Sequence, residues 1–159
     1  MLRKSLVRLC GVLTYAWYKL IYGKSFSCAG TPKIRRRLSL VIEKGANVSL
    51  GKGVFLNNDC SINCRQEVRI GNDCLFGEGV RIYDHNHRFR DPSRSIASQG
   101  FKCAPVVIGS NTWIGSDVVI LKGVTIGSNV VIGAGCVIDS DIPPKTIVRR
   151  SEEQITASW

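Results

Sequence analysis

Isoleucine returns every six residues along the second half of the chain, at Ile108, Ile114, Ile120, Ile126, Ile132 and Ile138. Two positions ahead of each stands a second small or aliphatic residue: Val106, Thr112, Val118, Val124, Val130 and Cys136, continuing to Ile142. The same register runs earlier through Leu50, Leu56 and Ile62, with Val48, Val54 and Cys60 ahead, and resumes at Ile70, Phe76 and Ile82 after a step of eight. A period of six fits neither the 3.6 of a helix nor the 2 of a strand alone; it fits a short strand plus a corner, repeated. Three such units close a triangular coil, and coils stacked about 4.8 Å apart as parallel strands place residue i over i+18. Gly109, Gly115, Gly127 and Gly133 directly follow an Ile, where they are expected to take the backbone angles of the corners.

Residues 2–22 follow another rule. Leu2, Leu6, Leu9, Leu13, Trp17 and Leu20 recur at helical spacing and predict an amphipathic helix with that stripe as its apolar face. Its longest uncharged run, from Leu9 to Tyr18, falls short of the about 20 residues a bilayer span needs, and the segment after it is a poor signal-peptide cleavage site. Two readings stay open: a helix packed across the end of the fold, or one lying in the headgroup zone of an anionic membrane with its cations and aromatic rings.

Charge sharpens the division. The net charge is +10 over 159 residues, yet residues 1–37 hold nine Lys or Arg and no acid, so the remainder is close to neutral. A confined excess of this kind, without a groove-reading motif, argues against nucleic acid. An apolar fraction of 44% excludes a disordered chain, and the length suits one domain. Seven cysteines, an odd number with no CxxC pair, fit a reducing cytosol better than a disulfide scaffold; Cys60, Cys74 and Cys136 fall on inward positions and read as small hydrophobes.

The repeat breaks once. After Ile82 comes Tyr83-Asp84-His85-Asn86-His87-Arg88-Phe89-Arg90-Asp91-Pro92 and a polar stretch to Gly100, before Val106 restores the register. This protruding loop, 84–105, holds both histidines of the chain and is the natural place for function.

Residues 38–148 resemble the hexapeptide-repeat acyltransferases, most of all the bacterial sugar and polysaccharide O-acetyltransferases. The resemblance implies an all-β, left-handed parallel β-helix, preceded by the basic segment 1–37 and followed by a tail at 149–159. It further implies a cytoplasmic, acetyl-CoA-dependent enzyme without a metal, a homotrimer with active sites between subunits, and a glycan or lipid-linked sugar acceptor. His87, five residues after Ile82, matches the family's general base, with Asp84 or Glu78 as candidates to orient it; neutral imidazole suits the taking of a hydroxyl proton at pH 7. In NTWIGS, Trp113, Gly115 and Ser116 resemble the segment beside acetyl-CoA, the Ser116 amide serving the oxyanion. Ala134, between Gly133 and Gly135, matches the small residue along the CoA arm. Asn57, His85 and Asp84 are assigned to the acceptor side.

One departure is plain: Ser140 stands where the family carries a Lys for CoA phosphates, leaving Arg149 and Arg150 as the cations offered in its place. N-acetylation of an amino-sugar nucleotide, O-acetylation of an antibiotic, and a catalytically inactive scaffold remain alternatives on the same fold.

Overall fold

A computed structural model describes residues 2–149, with side chains from Leu9 onward. Arg150 and the tail beyond it, and the side chains of Leu2 and Leu6, lie outside the described residues. Short parallel strands stack into three faces of a prism. The first face runs from Phe26–Cys28 through Asn47–Leu50, Glu67–Ile70 and Val106–Ile108 to Thr125–Ile126. The second carries Lys33–Ile34, Phe55–Leu56, Leu75–Phe76, Trp113–Ile114, Val131–Ile132 and Ile147–Val148; the third runs from Ser39–Ile42 to Val137–Ile138. The first coil therefore opens at Phe26, inside the segment expected to precede the repeat.

The hexad sets the interior. Every aliphatic, Thr and Cys position of the register between Val106 and Ile142 is buried, as are its counterparts from Val48 to Ile82. Register partners such as Val107 with Thr125, Trp113 with Val131 and Val119 with Val137 stand eighteen apart. The thiols of Cys60 and Cys64 are pushed up to about 11 and about 12, chiefly by burial, and behave as apolar filling.

The glycines after isoleucine serve a different purpose from the one expected. Gly115 is not left-handed; a Cβ there would stand 2.6 Å from the Ala134 amide nitrogen of the next coil, so the residue must be small because coils touch backbone to backbone. The left-handed corner positions fall two residues later, at Asn111, Asp117 and Asn129, residue types that tolerate that region.

The helix Leu2–Tyr22 lies across the open end of the first coil, but with the other side inward. Tyr15, Tyr18 and Tyr22 pack against the core, and a Cβ on Gly11 would sit 2.1 Å from the Ile34 carbonyl oxygen, so glycine permits the close approach. Strand-edge carbonyls that water would otherwise have to satisfy are met by side chains: Tyr18 donates to Leu38 at 2.7 Å, Tyr22 to Leu40 at 2.9 Å, and Lys19 to Phe26 at 2.6 Å. The predicted apolar stripe faces outward instead, with Leu13 and Trp17 each 60% exposed and Leu20 79%. Periodicity found the stripe but could not show that aromatic hydroxyls make the opposite face the better cap.

Candidate active site

The loop grows from a buried carboxylate. Asp84 is wholly inaccessible, and its oxygens accept from the backbone amides of Arg65, Gln66 and Glu67 and from the Cys64 thiol. Arg65 and Gln66 form the two-residue insertion behind the step of eight, so the widened corner is a cradle of amides around this side chain. Burial works against the charge, yet the hydrogen bonds from Arg65, His85 and Gln66 outweigh it and hold the carboxyl below the usual carboxylate range. Asp84 is therefore a foundation for the loop, and burial removes it from the acceptor contact expected of it.

Above it a two-stranded hairpin projects from the solenoid. His85–His87 pairs antiparallel with Phe101–Cys103, setting His87 opposite Phe101, and the Ala104 amide donates to the Asp84 carbonyl. The rest of the loop braces itself: Ser93 donates to Asp91 through amide and hydroxyl, and Gln99 bonds Asp91 in both directions.

Strand alternation puts both histidines on one face of the hairpin, around Phe101. His85 is half-buried, its Nδ1 3.0 Å from Asp84 Oδ1 and its ring edge-on to Phe101. His87 is exposed, tilted on Phe101 with centroids 4.3 Å apart, and among the described residues its nitrogens make no hydrogen bond. The carboxylate expected to orient His87 thus holds His85, and Glu78 instead accepts from Asn58 at 2.8 Å. The Arg65 guanidinium lies 3.6 Å over the other residue of this stack, Phe101. Neither Phe101 nor Arg65 was legible in the sequence, because nothing short of the hairpin register brings them to the histidines.

His87 borders a cleft of about 800 Å³ built by the loop and Lys122. Trp113, Ser116, Ala134 and Asn57 do not line it. The loop leaves the prism edge between the third and first faces, whereas those four residues lie on the second face or at the edge between the second and third. Trp113 is 57% exposed there, and Asn57 accepts from the Asn58 amide as a corner cap.

Hydroxyls also link the coils along two of the prism edges. At a corner, the amide after the small residue donates to a serine one coil on: Asn72 to Ser110 and Ser110 to Ser128, each at 3.0 Å, between the first and second faces, and Glu78 to Ser116 at 3.2 Å between the second and third. The next rung after Ser116 would be residue 134, which is alanine. Among the described residues the Ser116 amide has no such partner. An N–H left open beside an exposed Trp and a small residue is a ready donor for a developing oxyanion.

Comparison with known proteins bears on the fold and the family. A family model for the bacterial transferase hexapeptide (six repeats) matches residues 105–140. Nodulation protein L of Rhizobium meliloti is 39% identical over 111 residues, 70% of this chain and 60% of that protein. The crystal structure of a maltose O-acetyltransferase from Clostridium difficile 630 superposes with a TM-score of 0.72 at 33% identity, covering 92% of this chain and 79% of that one. A hexapeptide-repeat acetyltransferase of Vibrio cholerae, solved with acetyl coenzyme A, gives 0.71 at 26% identity over 91% and 77%. Among the curated relatives it matches, the chain spans between 25% and 60% of their length.

Proposed function

The chain belongs to the hexapeptide-repeat acyltransferases, and from that premise we propose that it transfers an acetyl group from acetyl-CoA to a sugar hydroxyl of a surface glycan or its precursor. His87 takes the hydroxyl proton as the oxygen attacks the thioester carbonyl. The Ser116 amide stabilises the tetrahedral oxyanion, the C–S bond breaks, and the thiolate leaves and receives the proton. Arg149, exposed near the last strand, is the described cation within reach of the same edge as Ala134 for the CoA phosphates.

The observation that carries the reading is His87 itself: an imidazole with unengaged nitrogens, on a braced hairpin, at the mouth of a cleft. The test is thiol release from acetyl-CoA with maltose and other sugars as acceptors. His87→Gln is expected to lower kcat by at least ~10²-fold while CoA binding persists. Near-normal turnover in that variant, with His85→Gln inactive, would move the base to the Asp84–His85 pair.

Two further parts of the reading follow from where groups lie. His87 and Ser116 occupy different edges of one prism, so a symmetric trimer, in which His87 of one chain meets Trp113 and Ser116 of its neighbour, completes the site. The outward helix face of Leu9, Leu13, Trp17 and Leu20 fits the headgroup region of an anionic bilayer, because the residues through Arg37 carry nine cations and no acid to complement it. No described helix is long and apolar enough to cross a membrane, so this contact is interfacial.

A further inference from the structure

The cleft beside His87 is lined by Arg88, Arg90, Arg94, Lys102 and Lys122 against one carboxylate, Asp91. Among the described residues none of these five cations takes part in an ion pair. Asp91 offsets only one of the five charges, and its Oδ1 accepts from the Ser93 amide and hydroxyl. Of the two neutral amides in the lining, Asn86 and Gln99, the second is engaged by the carbonyls of Asp91 and Arg94, so the cations far outnumber the groups left to read a neutral sugar. Two of the guanidinium groups are anchored by backbone, Arg88 to the Phe101 carbonyl at 3.0 Å and Arg94 to that of Ser98, which leaves each with further donors in a fixed place. Like charges gathered in one concavity repel each other and raise a local positive potential that an anion relieves.

Resting on the acetyl-transfer reading, we infer that this cleft binds a phosphate carried by the acceptor. The hydroxyl that His87 deprotonates has to lie against the imidazole, so the group seated among the surrounding cations belongs to the same molecule. The acceptor class is then a phosphorylated sugar, nucleotide-linked or lipid-linked, and not a neutral oligosaccharide. CoA is the other source of phosphate: within one chain the Ser116–Ala134 edge assigned to it borders none of this cleft, and in the trimer it is the thioester end of CoA that has to reach His87.

Titration calorimetry separates the two sources without needing turnover, with uridine diphosphate glucose, inorganic pyrophosphate, maltose and CoA as probes. The full chain is expected to bind the first two with an affinity that falls as salt rises, and maltose far more weakly. The variant Arg90→Gln/Lys102→Gln/Lys122→Gln, whose substitutions are all on exposed or half-exposed side chains, should weaken uridine diphosphate glucose by at least ~10-fold and CoA by less than ~2-fold. Absent pyrophosphate binding, an unchanged affinity in the variant, or an equal loss for CoA overturns the proposal. Anion binding lost while His87-dependent thiol release persists sinks only the cleft; anion binding intact with no acetyl transfer to any acceptor sinks only the transferase.

Discussion

Replacing Ala134 by serine should restore the missing rung of the corner ladder and slow the enzyme for that reason alone. Coil stacking is the same at both levels: a Cβ on Gly77 would meet the Ser116 nitrogen at 2.5 Å, and one on Gly115 would meet that of Ala134 at 2.6 Å. A hydroxyl at 134 thus falls where Ser116 Oγ sits relative to Glu78, 3.2 Å from an amide. An intramolecular hydrogen bond of this kind is worth about 0.5–1.5 kcal/mol net. Each 1.36 kcal/mol is tenfold in rate, so an amide that must surrender this bond to serve the oxyanion loses about 2- to 13-fold in kcat. The ceiling is the 10²–10³-fold typical of deleting such a donor. Steady-state kinetics with acetyl-CoA, paired with thermal unfolding, gives the readout: kcat should fall while the melting temperature holds or rises, since a bond has been added. Ala134→Cys, with a similar shape and a weak acceptor, should keep most of the activity. Wild-type turnover in Ala134→Ser, or an equal loss in both variants, would show that the open amide is not the reason alanine stands there.

Two other expectations concern the root of the loop and the end cap. Asp84→Asn should cost about 1.5–3 kcal/mol near neutral pH, because a buried charge accepting several hydrogen bonds is lost. Since folding lowers the Asp84 carboxyl below its ordinary value, its contribution is full above the unfolded value of about 3.9 and disappears as pH falls through the folded one; urea titrations should show variant and wild type converging in acid, and a constant gap would refute the assignment. On the helix, Leu13→Glu/Trp17→Glu alters side chains that are 60% exposed, so stability should shift by no more than ~0.5 kcal/mol while sedimentation with equimolar phosphatidylglycerol and phosphatidylcholine vesicles is lost. Unchanged sedimentation in that variant would remove the outward face from membrane binding.

How far the sequence reached differs by element. The hexad named the buried residues because a period of six admits one inward set, and Ile108 to Ile142 are all buried. The single break located the hairpin, and the family resemblance picked out Ser116 and Ala134, whose relation only the coil register reveals: the serine that accepts from Glu78 is followed one coil on by an alanine that cannot accept from Ser116. Gly11, inside the uncharged run of the helix, is the point where helix and strand touch.

Along the chain, then, the repeating aliphatics, the corner residues and the placement of both histidines in one interruption determined a stacked solenoid with a single projecting loop. Tertiary structure decided the pairings: that Asp84 turns inward to three amides and His85 and not to His87, that tyrosines and not leucines seal the first coil, and that five cations with no ion pair among the described residues share one concavity. The physical reason is range. A strand's burial pattern is dictated by its own neighbours in sequence, whereas the partner of a buried carboxylate or an edge carbonyl is whichever donor the coils bring within about 3 Å.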